Sequence, residues 1–203
     1  MYYSKVLEVI DSLGFKKIIK RIVDLFLSLI LCPLMLIPII CLILISSFDT
    51  KIFGLFFQKR VGFKGRLFTI FKIRTLNKQQ EVSKIGSFLR KSKLDELPQV
   101  FNILIGNMSF VGPRPDVIGF ANKLKGEDNI ILSMKPGLTG PATLKFFNEE
   151  EDISKSKKPE KLIEKYWKEK VDINKEYVLN YYLYKDIIYL YKTIQYAFKN
   201  LVI

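Results

Sequence analysis

Between Ile22 and Ser47 the chain is apolar, interrupted only by Asp24, Ser28 and Ser46 and by two prolines, Pro33 and Pro38. The core of this block, Leu25 to Ile45, would make a helix about 31 Å long, enough for a bilayer core of about 30 Å. It is too long for the apolar region of a signal peptide and lacks a small-residue cleavage site. The prolines argue against a plain crossing. Pro33 leaves the Leu29 carbonyl without its usual donor and Pro38 does the same to Leu34, so the break falls roughly 15 Å into the helix. Residues 2–21 and 48–67 each carry five Lys/Arg. The positive-inside rule then favours neither end, as two cytoplasmic ends would give. The pattern predicts a re-entrant helix-break-helix over 22–47 with its break at Cys32 and Pro33. An ordinary Pro-kinked spanning helix is the alternative. Residues 1–21 read as a basic amphipathic lead carrying Val6, Leu7, Ile10 and Leu13.

Beyond the block the period changes. Leu55–Val61 and Leu67–Arg74 read as paired strands around the glycine-bearing turn Gly62-Phe63-Lys64-Gly65. A period of two puts Lys72 and Arg74 on one face. Residues 77–83 form a polar loop. Leu97, Val100, Phe101 and Leu104 then follow at helical spacing, and Pro98 marks the first turn, where its missing N–H is harmless. The charged stretch Glu149 to Lys161 reads as a solvent-exposed connection. From Lys161 onward, helices are expected in which Trp167, Tyr181, Tyr182, Tyr184, Tyr189, Tyr191 and Tyr196 alternate with lysines. Such a mixture suits the membrane–water interface or a helical cap on the soluble core. The expected fold class is α+β, mainly helical, with residues 48–203 as a small membrane-associated cytoplasmic domain containing a short β-hairpin.

Composition narrows the chemistry. The 203 residues allow one domain, or one domain with an anchor. With 33 basic against 20 acidic residues the chain suits an anionic membrane face or phosphorylated substrates. Nucleic acid is disfavoured, because no nucleic-acid motif accompanies the charge. Both cysteines, Cys32 and Cys41, lie inside the apolar block and read as small hydrophobes. The absence of histidine excludes Ser-His triads and histidine acid–base chemistry. Carboxylates must do the work.

Two adjacent carboxylates, Asp95 and Glu96, stand out. From Lys51 to Lys93 there are twelve Lys/Arg and one acid, Glu81. Asp95 falls at or just before a helix N-terminus, where it can serve as a helix cap, and where a phosphate approaching it would also be favoured. Gly112-Pro113-Arg114-Pro115 is a stiff loop in which Pro113 and Pro115 fix the backbone around one guanidinium, a planar fork suited to phosphate. Lys135-Pro136-Gly137-Leu138-Thr139-Gly140 forms a second tight loop. Lys72 and Arg74 could hold phosphate oxygens or lipid headgroups, although a basic hairpin is ordinarily a solvated surface.

The stretch Gly86-Ser87-Phe88-Leu89-Arg90-Lys91-Ser92-Lys93-Leu94-Asp95-Glu96-Leu97-Pro98-Gln99, then Asn102, Gly106, Met108-Ser109 and Val111 to Pro115, resembles the bacterial sugar transferase family. These are monotopic phosphoglycosyl transferases acting on polyprenyl phosphate. Gln58-x-Arg60-Val61-Gly62-x-x-Gly65, Phe71-Lys72-x-Arg74-Thr75 and Lys20-Arg21-x-x-Asp24 resemble further motifs of that family, and Asp172, Tyr177 and Asp186 loosely echo its C-terminal pattern. The resemblance implies a UDP-sugar donor, an undecaprenyl phosphate acceptor and release of UMP through a phosphosugar–aspartate on Asp95. It also implies Mg²⁺ held by Asp95 and Glu96, with Glu96 open to acting as a base instead. Arg114, Arg74 and Lys72 would contact phosphates, and Gly137 and Thr139 would lie near nucleotide and sugar. The expected location is the cytoplasmic face of the bacterial inner membrane, among membrane lipids, with a homo-oligomer left open. Two departures stand out: Cys32-Pro33 replaces the family's common Ser-Pro, and Pro141-Ala142 replaces the commoner Trp-Ala. The rival reading is a non-catalytic membrane-surface scaffold or regulator that binds anionic lipid. It would need the basic and aromatic surfaces but not the acidic pair.

Overall fold

The computed structural model describes the backbone of residues 2–120 and 124–201, and side chains within 14–199 apart from residues 121–123 and 150. The amphipathic side chains Val6, Leu7, Ile10 and Leu13 lie outside the described residues. Helix α1 runs over Tyr2–Thr50 and contains both prolines. The interruption expected at Cys32-Pro33 is therefore not a break in the helix. Each proline removes one amide from the ladder, and the bonds on either side keep the turn wound. Ser28, the one hydroxyl near the weakened Leu29 carbonyl, instead donates to Leu25 O at 3.0 Å.

The faces of α1 invert the pattern of a soluble helix. Lys20, Asp24, Ser28, Cys32, Ile39, Ser46 and Thr50 are buried, whereas Phe26, Leu34 and Ile37 are more than 60% exposed. Apolar side chains face outward and small or polar ones inward, as suits a helix whose solvent is lipid. Residues 14–50 form one 37-residue segment long and apolar enough to cross a membrane.

Both ends of that segment are tied to the rest of the chain. Near its start, Arg21 donates to Ile103 O at 2.6 Å and Leu104 O at 2.9 Å, while Asp24 accepts from the Phe110 amide at 3.1 Å. Lys20 meets Asp186 at 2.6 Å, and that carboxylate also accepts from Tyr177 at 2.7 Å and Tyr181 at 3.1 Å. Lys20, Arg21 and Asp24 thus form the docking joint of α1. Near its end, Ser46 donates to Arg74 O at 2.6 Å and Ser47 accepts from Gly54 N at 2.7 Å. Any Cβ at Gly54 would stand 2.0 Å from Ile43 O, so this approach requires glycine.

The expected hairpin forms from β1 (Leu55–Val61) and β2 (Leu67–Ile73), antiparallel with Arg60 opposite Phe68 and Phe56 opposite Lys72. Helix α2 (Lys84–Lys91) follows, capped by the Ser83 hydroxyl, which accepts from Gly86 N. A 3-10 turn over Leu94–Glu96 leads into α3 (Gln99–Leu104), with Pro98 at its start as the pattern predicts. Asn102, fully buried, fastens α3 to β2 by donating to Thr69 O at 2.7 Å and accepting from Phe71 N at 3.0 Å.

Two three-residue strands, β3 (Ser109–Val111) and β4 (Gly137–Thr139), pair in parallel. Residues 141–145 (α4) lead to α5 (Glu149–Lys155), α6 (Pro159–Leu179) and α7 (Leu183–Leu201). The Glu149–Lys161 stretch is mostly solvent-exposed, as expected, but it is largely helical. An acid-rich first turn and a Glu151–Lys155 pair suit a helix with its macrodipole. Ile70, Ile73, Leu89, Ile103, Met108 and Val178 form the centre of the core.

Candidate active site

The acidic pair sits where the 3-10 turn meets β2. Asp95 is 4% exposed and Glu96 7%. The positive partner differs from the one the sequence suggests. Helix α3 has only six residues and begins four positions after Asp95, so side chains rather than a helix end supply the counter-charge. Lys72 Nζ lies 2.9 Å from Asp95 Oδ2 and 3.4 Å from Glu96 Oε1, and Arg114 Nη2 lies 3.1 Å from the same Glu96 oxygen. Lys93, in the left-handed region at φ 57°, turns the chain between α2 and the acidic pair.

The two carboxylates are pushed apart in acidity. Burial raises both, but Arg114 and Lys72 outweigh it at Glu96 and hold that carboxyl far below the usual range. At Asp95 burial wins, helped by the neighbouring Glu96 charge, and the carboxyl stays above its ordinary value despite Lys72. Burial opposes the Lys72 charge, yet Glu96 and Asp95 keep its ammonium above the usual value. Asp95 Oδ1 is buried and has no hydrogen-bond partner. An orphaned carboxylate oxygen beside a neutralised neighbour is a group poised for a ligand, a metal or an electrophile.

Glu96 opens onto a recess that it lines with Arg60, Lys72, Gln99, Arg114 and Gly137, together with Ile70 and Pro115. Asp95 is not on that lining and reaches it through its ion pair with Lys72. Pro113 and Pro115 flank Arg114 as expected, and the loop is held by Gly137 N donating to Pro113 O at 2.8 Å. Gly137 has no room for a side chain, since a Cβ would stand 2.1 Å from Gly112 N. Thr139 is turned away. Its hydroxyl lies 2.6 Å from that of Thr193 on α7.

Arg74 belongs to another cluster. Its Nε donates to Phe53 O at 2.8 Å and its guanidinium lies over the Phe56 ring at 5.2 Å, at the junction of α1 and β1. Of the two hairpin cations, only Lys72 reaches the acidic pair. Cys32 is buried and Pro33 exposed on α1, with neither lining this recess. Arg60 was not among the sequence-predicted site residues. Its position opposite Phe68, on the Lys72 face, is the signal that would have found it. Beyond the acidic pair, no group of three or more His, Cys, Asp or Glu residues suited to a metal occurs among the described residues. A hard divalent ion fits the pair through the free Asp95 oxygen only if substrate phosphates and water complete its shell, as magnesium sites commonly arrange.

An α+β domain with an outward-apolar helix and a buried, partly unsatisfied carboxylate pair among lysine and arginine side chains defines a membrane-associated, carboxylate-centred site. Sequence comparison names the class. The bacterial sugar transferase family profile matches residues 15–200, and the chain belongs to that family. It is 32% identical over 169 residues to a Klebsiella pneumoniae UDP-glucose:undecaprenyl-phosphate glucose-1-phosphate transferase, covering 74% of this chain and 36% of that protein. An Escherichia coli protein of the same name is 29% identical over 191 residues, covering 86% of this chain and 39% of the relative. The uncharacterized sugar transferase EpsL of Bacillus subtilis is 30% identical over 183 residues, covering 84% and 82%. The chain thus spans well under half of the first two relatives.

Proposed function

We propose that this protein transfers a sugar-1-phosphate from a UDP-sugar to polyprenyl phosphate, most simply undecaprenyl phosphate, as a first membrane step of glycoconjugate assembly. The observation that carries this reading is the buried Asp95 oxygen left without a partner beside Lys72, Glu96 and Arg114. Asp95 attacks the sugar-bearing phosphorus. A new P–O bond forms to the carboxylate, and the bond to the bridging oxygen breaks with its electron pair leaving on UMP. A phosphate oxygen of the polyprenyl acceptor then attacks the same phosphorus and returns Asp95 as a carboxylate. Arg114 and Lys72 neutralise charge on the transferring group. Glu96, held ionised by two cations, is a poor base. Its role is electrostatic, or as a ligand together with Asp95 for Mg²⁺. When bound, that ion would further neutralise the diphosphate.

The membrane segment fits this chemistry. Both ends of residues 14–50 hold the same body, through Arg21 and Asp24 at one end and Ser46 and Ser47 at the other. Because both anchors lie on one body, both ends of the segment stand on the same side of a bilayer, and with positive charge at both flanks this supports re-entry from the cytoplasmic face over spanning. Helix α7 presents a second apolar stripe (Tyr184, Ile187, Ile188, Tyr191, Ile194, Phe198), all exposed, which supports seating at the interface. A lipid-binding scaffold would explain these surfaces but not the unsatisfied Asp95 oxygen.

The test is UMP release from a panel of UDP-sugars by protein in nanodiscs with Mg²⁺ and undecaprenyl phosphate. Release that requires the acidic pair is expected. Silence across the panel from folded protein would favour the scaffold.

A further inference from the structure

A second recess lies across Arg114 from the acidic pair, lined by Lys93, Arg114, Thr143, Phe146, Phe147 and Lys170, with Glu149 as its one acid. Four separate parts of the chain build it: the turn before Asp95, the loop after β3, the stretch from α4 to the start of α5, and the middle of α6. Its two lysines lie over aromatic faces. Lys93 Nζ lies 5.1 Å from the Phe147 ring centroid and Lys170 Nζ 5.6 Å from that of Phe146. Phe147 is stacked on Tyr196 at 5.5 Å, and Lys170 is also paired with Glu149. Thr143 Oγ1 is buried at the recess with no hydrogen-bond partner. A hydroxyl withheld from both water and protein is an unmade bond waiting for an acceptor.

The two recesses share Arg114 and match in charge. Arg60, Lys72 and Arg114 line one with Glu96, and Lys93, Arg114 and Lys170 line the other with Glu149. Each suits one phosphate of a linked pair. A nucleoside diphosphate-sugar carries two linked phosphates, and displacement at one leaves the other as a monophosphate of higher negative charge. Resting on the reading above, we propose that the recess of Lys93, Thr143 and Lys170 holds the phosphate of the departing nucleoside monophosphate. Arg114 stands at the bridging position between the two phosphates. Thr143 donates its hydroxyl hydrogen to a phosphate oxygen, and the ammonium groups stabilise the charge that develops as the bridging bond breaks. The departing phosphate gains affinity as the reaction proceeds, which favours the forward cleavage.

The test uses the full chain in nanodiscs with UMP as the probe, comparing wild type, Thr143→Val, Thr143→Ser and Lys93→Met. Calorimetric UMP affinity, measured in an Asp95→Asn background, should fall about 10-fold in Thr143→Val and in Lys93→Met, the scale of one charged hydrogen bond. Thr143→Ser should restore it. In turnover, the KM for the donor should rise with the UMP inhibition constant, while the KM for polyprenyl phosphate stays unchanged. Unchanged UMP affinity in both variants, or a rise confined to the polyprenyl phosphate KM, would overturn the assignment. The calorimetry reads the recess independently of turnover. UMP binding lost in these variants would uphold the recess even if no UDP-sugar were consumed, and that second result would count against the reaction alone.

Discussion

Two buried ionic clusters in this molecule are built from the same ingredients and end in different states. At the foot of α1, Lys20 meets Asp186, and both oxygens of that carboxylate are engaged, by Lys20 and Tyr181 on one and Tyr177 on the other. In the cluster of Lys72, Asp95, Glu96 and Arg114, one Asp95 oxygen has no partner, and the cluster opens onto a recess. Burial and opposite charge are common to both, so neither marks a site. Nor does an unmade hydrogen bond alone, since Asp49 Oδ2 and Asn174 Oδ1 share it; what sets the second cluster apart is that the unmade bond stands among paired cations at an open recess. The first cluster is a joint. The second is chemistry held ready.

The largest effect should come from Asp95→Asn, which keeps the shape and removes the nucleophile. Turnover should fall by about 10⁴-fold or more, with UMP release assayed on protein whose unfolding profile is unchanged. Arg114→Ala should cost about 10²–10³-fold in kcat/KM. A smaller loss, in steady-state kinetics, would reduce the loop to a support. The opposite behaviour is expected of the joint. Lys20→Met leaves Asp186 with only two hydroxyls and should destabilise by about 3 kcal/mol, read by denaturant unfolding in detergent, while the folded fraction keeps its kcat.

The smallest effect concerns Asp116, whose carboxyl burial pushes up to about 6, against the pull of Lys170, Arg60 and Arg114 and with Glu149 raising it further. An acid raised in the folded state is disfavoured when ionised. Its cost is therefore present above about pH 6 and is relieved as pH falls from there towards the unfolded value. Asp116→Asn should raise the denaturation midpoint at pH 7.5 and leave it nearly unchanged at pH 4. Equal shifts at both pH values would mean that the side chain acts through packing.

Much of this was legible in the sequence. The hairpin follows from alternation around Gly62 and Gly65, and its strands end within a residue of the expected limits. Arg114 meets Glu96 because α3 and β3 return the proline-flanked loop to the acidic pair that precedes them in the chain. Lys72 and Arg74 show where reading stops. Both lie on one face by period, but the joint at the end of α1 captures Arg74 through Phe53 and Phe56, a tertiary contact that no local pattern encodes. The β3–β4 pair was missed because three-residue strands carry too little alternation. Its trace in the sequence is the two glycines, Gly112 and Gly137, whose backbones pack together beside the pair. Of the loose echo in the sequence, Asp186 proves to be the partner of Lys20, and Tyr177 donates to the other oxygen of that carboxylate. The turn at residues 94–96 replaces a helix end as the setting of the acidic pair, because α3 begins only at Gln99, after Pro98.

The most direct test of the difference between the two clusters is to trap the carboxylate that bonds. Wild-type protein would be incubated with a UDP-sugar that supports UMP release, without polyprenyl phosphate, then quenched and digested for peptide mass spectrometry. The account predicts UMP release of at most one equivalent and a sugar-phosphate adduct on the peptide at Asp95, cleared by adding the acceptor. UMP release that begins only with acceptor present, with Asp95 unmodified throughout, would contradict it.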